Sequence, residues 1–238
     1  MFETLKIIYE TLKSFKERNN KNVHFETIIA QSQIEKILSK STALTPIKNS
    51  RKRAKFKGNP MKVLSFKEIV NLIPILIKNM FEIIKSYQGL EQTPHRNSIT
   101  NQELNKLEKK AKTFGIDTIG YTKIQKNDIF QNRAVLYPYA IVFSIKMNKD
   151  NIEKAPSYQS LKTIQDTYLQ TGIVANKITN LLRQMGFGAQ SGPGLGGQTV
   201  YPVLAERAGL GAFGRHGLII TPENGPTHRL GVVYTNIT

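Results

Sequence analysis

"AERAGLGAFGRHGLIITPENGPTHRLGVVYTNI", residues 205–237, decides how this chain folds. Six glycines divide the stretch into pieces too short for a long helix, and each glycine suits a tight turn or a close backbone approach. "GLIITP" and "RLGVVYTNI" are rich in β-branched and aromatic residues, and "ENGPTH" between them carries turn residues. Strand, turn and strand follow, and the spacing predicts a hairpin.

The segments upstream extend the same pattern. "SYQSLKTIQDTYLQTGIVANKITNLLRQMGFG" places Ile164, Tyr168, Ile173, Ile178 and Leu182 near helical spacing, with Gly186 where a C-cap belongs. "AVLYPYAIVFSIKM" is a nearly continuous apolar run suited to a buried strand, and "DTIGYTKI" reads as a strand before it. Thr100 and Glu103 form a capping box opening a helix that Gly115 can end. No internal repeat is present. The expected class is α/β (α+β), with a basic helical N-terminal extension over residues 1–94 and a second domain over residues 95–238, divided in the linker "QGLEQTPHRNS".

Glycine is concentrated further: 12 of the 17 glycines lie between Gly186 and Gly231. Gly192, Gly194 and Gly197 match the spacing G-x-G-x-x-G formally, but the dinucleotide fingerprint also needs a preceding strand, a clean following helix and an acid about 20 residues on. Pro202 interrupts the helix start, Glu206 comes too early and Glu223 too late. A nucleotide P-loop is excluded because no Gly-Lys-Ser/Thr follows.

Composition narrows the chemistry. The 238 residues contain no cysteine, which excludes disulfides, cysteine-ligated zinc and iron–sulfur clusters within this chain. The net charge is +17 and uneven: residues 1–62 hold 14 Lys/Arg against 5 Asp/Glu, whereas residues 128–238 hold 10 against 6. "KNSRKRAKFKGNPMK", residues 48–62, has seven basic residues and no acid, and reads as an exposed mobile loop. Such an arm suits nucleic acid or an anionic membrane. Phe56 is its only aromatic residue, so base stacking is poor and weak, non-specific contact is the expectation.

Residues 2–16 place Leu5, Ile8, Tyr9, Leu12 and Phe15 on one helical stripe, and Glu3 and Glu10 argue against a secretory signal. "VLSFKEIVNLIPILIKNMFEII", residues 63–84, has an uncharged run of only nine residues with Pro74 inside it, too short to span a bilayer. It reads as a packing helix pair or an interfacial helix. A cytoplasmic location, with peripheral contact at a membrane through the basic arm, is the expectation.

The opening stretch resembles the corrinoid-dependent reductive dehalogenases. Ala208-Gly-Leu-Gly211, Gly214-Arg215, Gly217-Leu-Ile-Ile-Thr-Pro-Glu223, Gly225-Pro226 and His228-Arg229 carry the likeness. It extends upstream through the long helix and faintly to residue 98, about 140 residues in all. A weaker form of the pattern occurs in the related epoxyqueuosine reductases. Those enzymes use an acid at a position that here falls near Leu195, which disfavours their chemistry.

The resemblance implies a nitroreductase-like core holding a base-off cobalamin, gripped by main chain and small residues. By resemblance Gly194, Gly196, Gly197, Gly209, Gly211, Gly214, Arg215, His216 and Thr221 would hold the cofactor. Tyr168 would supply a proton, assisted by Arg229, whose guanidinium stays charged and favours the phenolate left behind. His228 is not assigned as a metal ligand, since base-off binding needs none. The implied partners are a small organohalide and a low-potential electron donor. Two departures stand out: Asn236 replaces the usual aspartate, and the cysteines of the family's 4Fe-4S clusters are missing after it. The expectation is a chain truncated ahead of that cluster region. The alternatives are an epoxyqueuosine-reductase-like enzyme, or a non-catalytic corrinoid- or nucleic-acid-binding protein.

Overall fold

The computed structural model describes residues 64–90, 92–130 and 133–238. The stripe over residues 2–16, the basic stretch 48–62 and most of the N-terminal extension lie outside the described residues.

Four strands form one antiparallel sheet in the order β1-β2-β6-β3: β1 (Thr118–Lys123), β2 (Tyr139–Lys146), β6 (His228–Thr235) and β3 (Ala189–Ser191). The apolar run of β2 is explained by burial on both faces. Ile141, Phe143 and Ile145 join one core cluster, while Ala140 and Val142 join the other. β6 does the same through Val233 on one side and Val232 and Tyr234 on the other. Its register sets Arg229 opposite Ile145 and Val233 opposite Ile141.

The first face is covered by the long helix α4 (Tyr158–Gln184), through Val174, Ala175, Ile178 and Leu182. Helix α2 (Asn101–Lys112) adds Leu107 and Ala111 to the same core. Ser157 caps α4, its hydroxyl accepting from the Ser160 amide, and Gly186 follows its C-terminus at φ +88°. The second face carries the short helix α5 (Tyr201–Arg207), which buries Leu204 and Ala205. A one-turn helix, α3 (Lys149–Glu153), precedes α4.

Helix α1 (Phe66–Lys85) packs outside α4. It is one continuous helix with Pro74 inside it, not a helix pair. The Asn79 amide donates to the Gln165 carbonyl, and Asn176 of α4 donates to the carbonyl and carboxylate of Glu82.

The predicted hairpin around the Gly-Pro turn does not form. Strand β5 (Ile219–Ile220) pairs back onto β4 (Ala212–Phe213), while β6 enters the middle of the main sheet. β6 thereby gains two strand neighbours and two covered faces, where a hairpin would leave it one neighbour.

Arg96 ties the entry of this unit to its core. Both its terminal nitrogens bond Glu103 at 2.8 and 2.9 Å, and its guanidinium stacks 4.7 Å from the Phe187 ring centroid. The Arg96 bond, followed by the Thr100 cap, lowers the Glu103 carboxyl from its ordinary 4.5 to about 2. A depressed carboxyl stabilises the fold above its unfolded value and loses that contribution as pH falls. Denaturant midpoints should therefore fall between about pH 4.5 and pH 2. Glu103→Gln should lower the midpoint at pH 7, with the gap to the wild type closing as pH approaches 2.

Candidate active site

Tyr168 lies in the first half of α4, on the same helix face as Gln165 and Gly172. Arg229 is the second residue of β6, and alternation along the strand turns it toward α4. The two meet: the guanidinium carbon of Arg229 sits 4.4 Å from the Tyr168 ring centroid. Residues 61 positions apart, paired in sequence by the family resemblance, thus share one place. Both are half-buried, where a cation over an aromatic face contributes about 1–2 kcal/mol.

The glycine loop closes on the same point. A Cβ at Gly194 would strike the carbonyl oxygen of Tyr168 and approach the Gly172 amide at 3.2 Å. Gly172 in turn lies against Glu82 of α1. Three segments therefore converge at Tyr168: the loop after β3, the start of β6 and the α1–α4 seam.

Most of the predicted cofactor-gripping glycines have neighbours within the chain. Gly192 and Gly197 enclose the Tyr201 side chain, whose hydroxyl donates to the Pro193 carbonyl at 3.1 Å. Gly211 abuts the Ile220 backbone, and Gly214 abuts His216 and Ile220. Gly196 and Gly209 are different: each has positive φ (+79° and +76°), and a Cβ there would meet nothing within 4 Å. Turn geometry calls for glycine at these two, and their outer sides are open.

Arg215 and His216 are exposed on the loop joining β4 to β5, where His216 Nδ1 accepts from the Leu218 amide at 3.1 Å. Thr221 is buried, and its hydroxyl accepts from the Asn224 amide at 3.2 Å. The hydrogen bonds of His216 and Thr221 stay within the segment from His216 to Asn224.

Sequence reasoning missed how the turn before Arg229 is held. Thr221 and Gly225 exchange backbone hydrogen bonds, and His228 Nδ1 bonds the Gly225 carbonyl at 3.0 Å. Burial, above all, pushes the His228 imidazole below its ordinary value, with the Gly225 bond opposing and the Arg229 charge adding to the drop. His228 is thus an anchor in the turn that aims Arg229. Its only sequence signal was its place in the Gly-Pro motif. Asn236 also gains a reason. Its amide accepts from the Gly188 N–H and donates to the Arg96 carbonyl, at 2.9 Å each. Aspartate can do only the first.

The site has unfinished polar business. Gln165 Oε1, Ser191 Oγ, both side-chain polar atoms of Gln198 and Arg229 Nε are enclosed without a hydrogen-bond partner. Gln165 lies one turn before Tyr168 on α4 and Arg229 faces its ring, whereas the Gln198 carbonyl accepts from the Phe130 amide and adjoins Tyr234 in the core under α5. Leaving such a group unpaired costs about 1–3 kcal/mol. Among the described residues, no group of three or more His, Asp or Glu could hold a metal ion.

Comparison with known proteins gives the same direction. The chain is 34% identical over 125 residues to a tetrachloroethene reductive dehalogenase of Desulfitobacterium hafniense, covering 52% of this chain and 22% of that protein. A tetrachloroethene reductive dehalogenase of Sulfurospirillum multivorans is 35% identical over 97 residues, covering 41% of this chain and 19% of its own length. The structure of the catabolic reductive dehalogenase NpRdhA superposes with a TM-score of 0.59 at 16% identity, over 70% of this chain and 26% of the other. No family model matches the chain. The match spans about a fifth of the curated relatives. The chain is reductive-dehalogenase-like in sequence and fold.

Two substitutions probe the assembly. Gly194→Ala should lower stability by about 1–3 kcal/mol, because the added methyl meets main chain that cannot turn aside. Asn236→Asp should cost about 1–2 kcal/mol in denaturant unfolding, since it loses the donor to the Arg96 carbonyl.

Proposed function

We propose that this chain is the cobalamin-holding part of a corrinoid-dependent reductase that removes halide from a small organohalide. The observation that carries the reading is the Arg229 guanidinium over the Tyr168 ring, with the Gly194 loop against the same turn of α4. Likeness to the tetrachloroethene reductive dehalogenases supports the substrate class.

The residues present fit a corrinoid. Its rim of amide groups both donates and accepts hydrogen bonds, as exposed backbone does. Gly196 and Gly209 leave backbone open to approach, and Arg215 and His216 are exposed for contact with polar substituents. Gly194, Gly197, Gly211, Gly214 and Thr221 would shape the site through the packing already described. When bound, the corrinoid supplies low-potential cobalt chemistry at the carbon–halogen bond.

The chain's own part is proton delivery and exclusion of water. Reductive removal of halide breaks the carbon–halogen bond, consumes two electrons and one proton, forms a carbon–hydrogen bond and releases halide. Tyr168 donates the proton from its hydroxyl, and Arg229 faces the resulting phenolate with a permanent positive charge. Tyr168 is half-buried, and α1 and the glycine loop both reach α4 at Gly172, one turn beyond it, which limits access of bulk water to that side. The electrons come from a donor outside these 238 residues, which contain no cysteine to hold clusters.

The test begins with reconstitution. The chain is loaded with hydroxocobalamin, desalted and examined by visible spectroscopy; failure of a corrinoid to co-elute overturns the reading. With titanium(III) as reductant, slow halide release is expected, whereas a physiological one-electron donor alone should give none. Tyr168→Phe should lower halide release at least about 100-fold while corrinoid binding is unchanged, because only the proton donor is lost. Equal activity in that variant would leave Tyr168 a packing residue.

A further inference from the structure

Arg229 is not held in the way that Arg96 and Arg207 are. Carboxylates of Glu103 and Asp128 fix those two. Among the described residues Arg229 forms no ion pair, and its Nε is enclosed without an acceptor. Its place over Tyr168 therefore depends on the backbone that carries it, and that strand begins one residue earlier. His228, the first residue of β6, is 7% exposed. A carbonyl oxygen only accepts, so the 3.0 Å bond between Nδ1 and the Gly225 carbonyl places the ring proton on Nδ1. Nε2 of the neutral ring is then bare. The same carbonyl accepts from the Thr221 amide at 3.0 Å, and the Gly225 amide returns a bond to the Thr221 carbonyl at 2.9 Å. The imidazole thus ties the start of β6 to the bridge that closes the turn.

We propose that His228 is a positioning residue for Arg229 that works only as the neutral imidazole, and that protonation releases the turn and moves the guanidinium off the Tyr168 ring. A proton on Nε2 places a second cation in a buried position, one residue from Arg229, whose own charge no carboxylate bonds. Lys146 stands opposite His228 in the register of β2 and adds positive charge from that side. Asp117, ahead of β1, Glu223, in the turn, and the Gly225 bond favour the imidazolium, but burial outweighs them and keeps the ring below its ordinary 6.5. The folded chain takes up this proton less readily than the unfolded chain. The contribution of the neutral ring is therefore full above pH 6.5 and is lost as pH falls through the lower folded value. The ring escapes the penalty by turning out to water, which breaks the Gly225 bond. The consequence for catalysis rests on the proton-donor reading of Tyr168: with Arg229 displaced, the phenolate loses its counter-charge and the phenol becomes a weaker acid. The switch itself needs no corrinoid.

The test uses the corrinoid-free chain with ring-labelled tyrosine, the Tyr168 signal being identified in the NMR spectrum by its absence from Tyr168→Phe. Arg229→Gln gives the position of that signal with no cation over the ring. Between about pH 8 and about pH 5 the wild-type signal should step to the Arg229→Gln position, with its midpoint below 6.5, while the signal of the buried Tyr234 stays in place. His228→Asn keeps a neutral donor for the Gly225 carbonyl and should hold the Tyr168 signal at its alkaline position throughout. His228→Ala, which lacks the donor, should show the displaced position even at the alkaline end. A wild-type signal that does not move would overturn the proposal, as would a step that survives in His228→Asn. Loss of the Tyr234 signal together with the step, the mark of global unfolding, would overturn it too. So would an undisplaced signal in folded His228→Ala; should that variant not fold, the wild-type and His228→Asn titrations decide alone. Failure of hydroxocobalamin to co-elute would remove the proposed function and leave this titration standing.

Discussion

The insertion of β6 between β2 and β3 is the constraint on which the described structure depends. It gives both cores a strand, with Val233 toward α4 and Val232 and Tyr234 toward α5. It also determines where Arg229 stands, because a strand held by neighbours on both edges cannot slip without turning its whole apolar set to the wrong face. The anchored turn from Thr221 to His228 sets where β6 begins. Arg229 therefore reaches Tyr168 from a strand whose start and register are both determined.

Around that contact the chain divides its glycines by purpose. Gly194 admits the loop to the backbone of α4, and Gly192 and Gly197 make room for Tyr201. These are internal fits, and they account for much of the glycine density without any ligand. Among the glycines assigned to a cofactor, Gly196 and Gly209 have open outer sides.

Helix α1 packs along the outer side of α4. Its inner face bonds α4 directly, Asn79 to the Gln165 carbonyl and Glu82 to the Asn176 amide. Pro74 does not divide the helix, so both bonds belong to one rigid element.

Much of this was legible in the sequence because it depends on neighbours in the chain. The capping box at Thr100 and Glu103, the glycine that ends α4 and the two-sided burial of β2 all follow from local periodicity and end chemistry. Tyr168, Arg229 and the glycine loop were legible through a motif, which marks residues without saying what they touch. Tertiary structure alone decided the rest. Local propensity correctly marks "GLIITP" and "RLGVVYTNI" as strands but cannot choose their partners, since pairing energy comes from distant residues such as Ile141 and Ile145. It turned a predicted hairpin into a central strand and a separate small ribbon. It also gave Asn236 its two-sided bond and His228 its buried anchor, because a polar side chain's partners are fixed only when the fold brings them within about 3 Å.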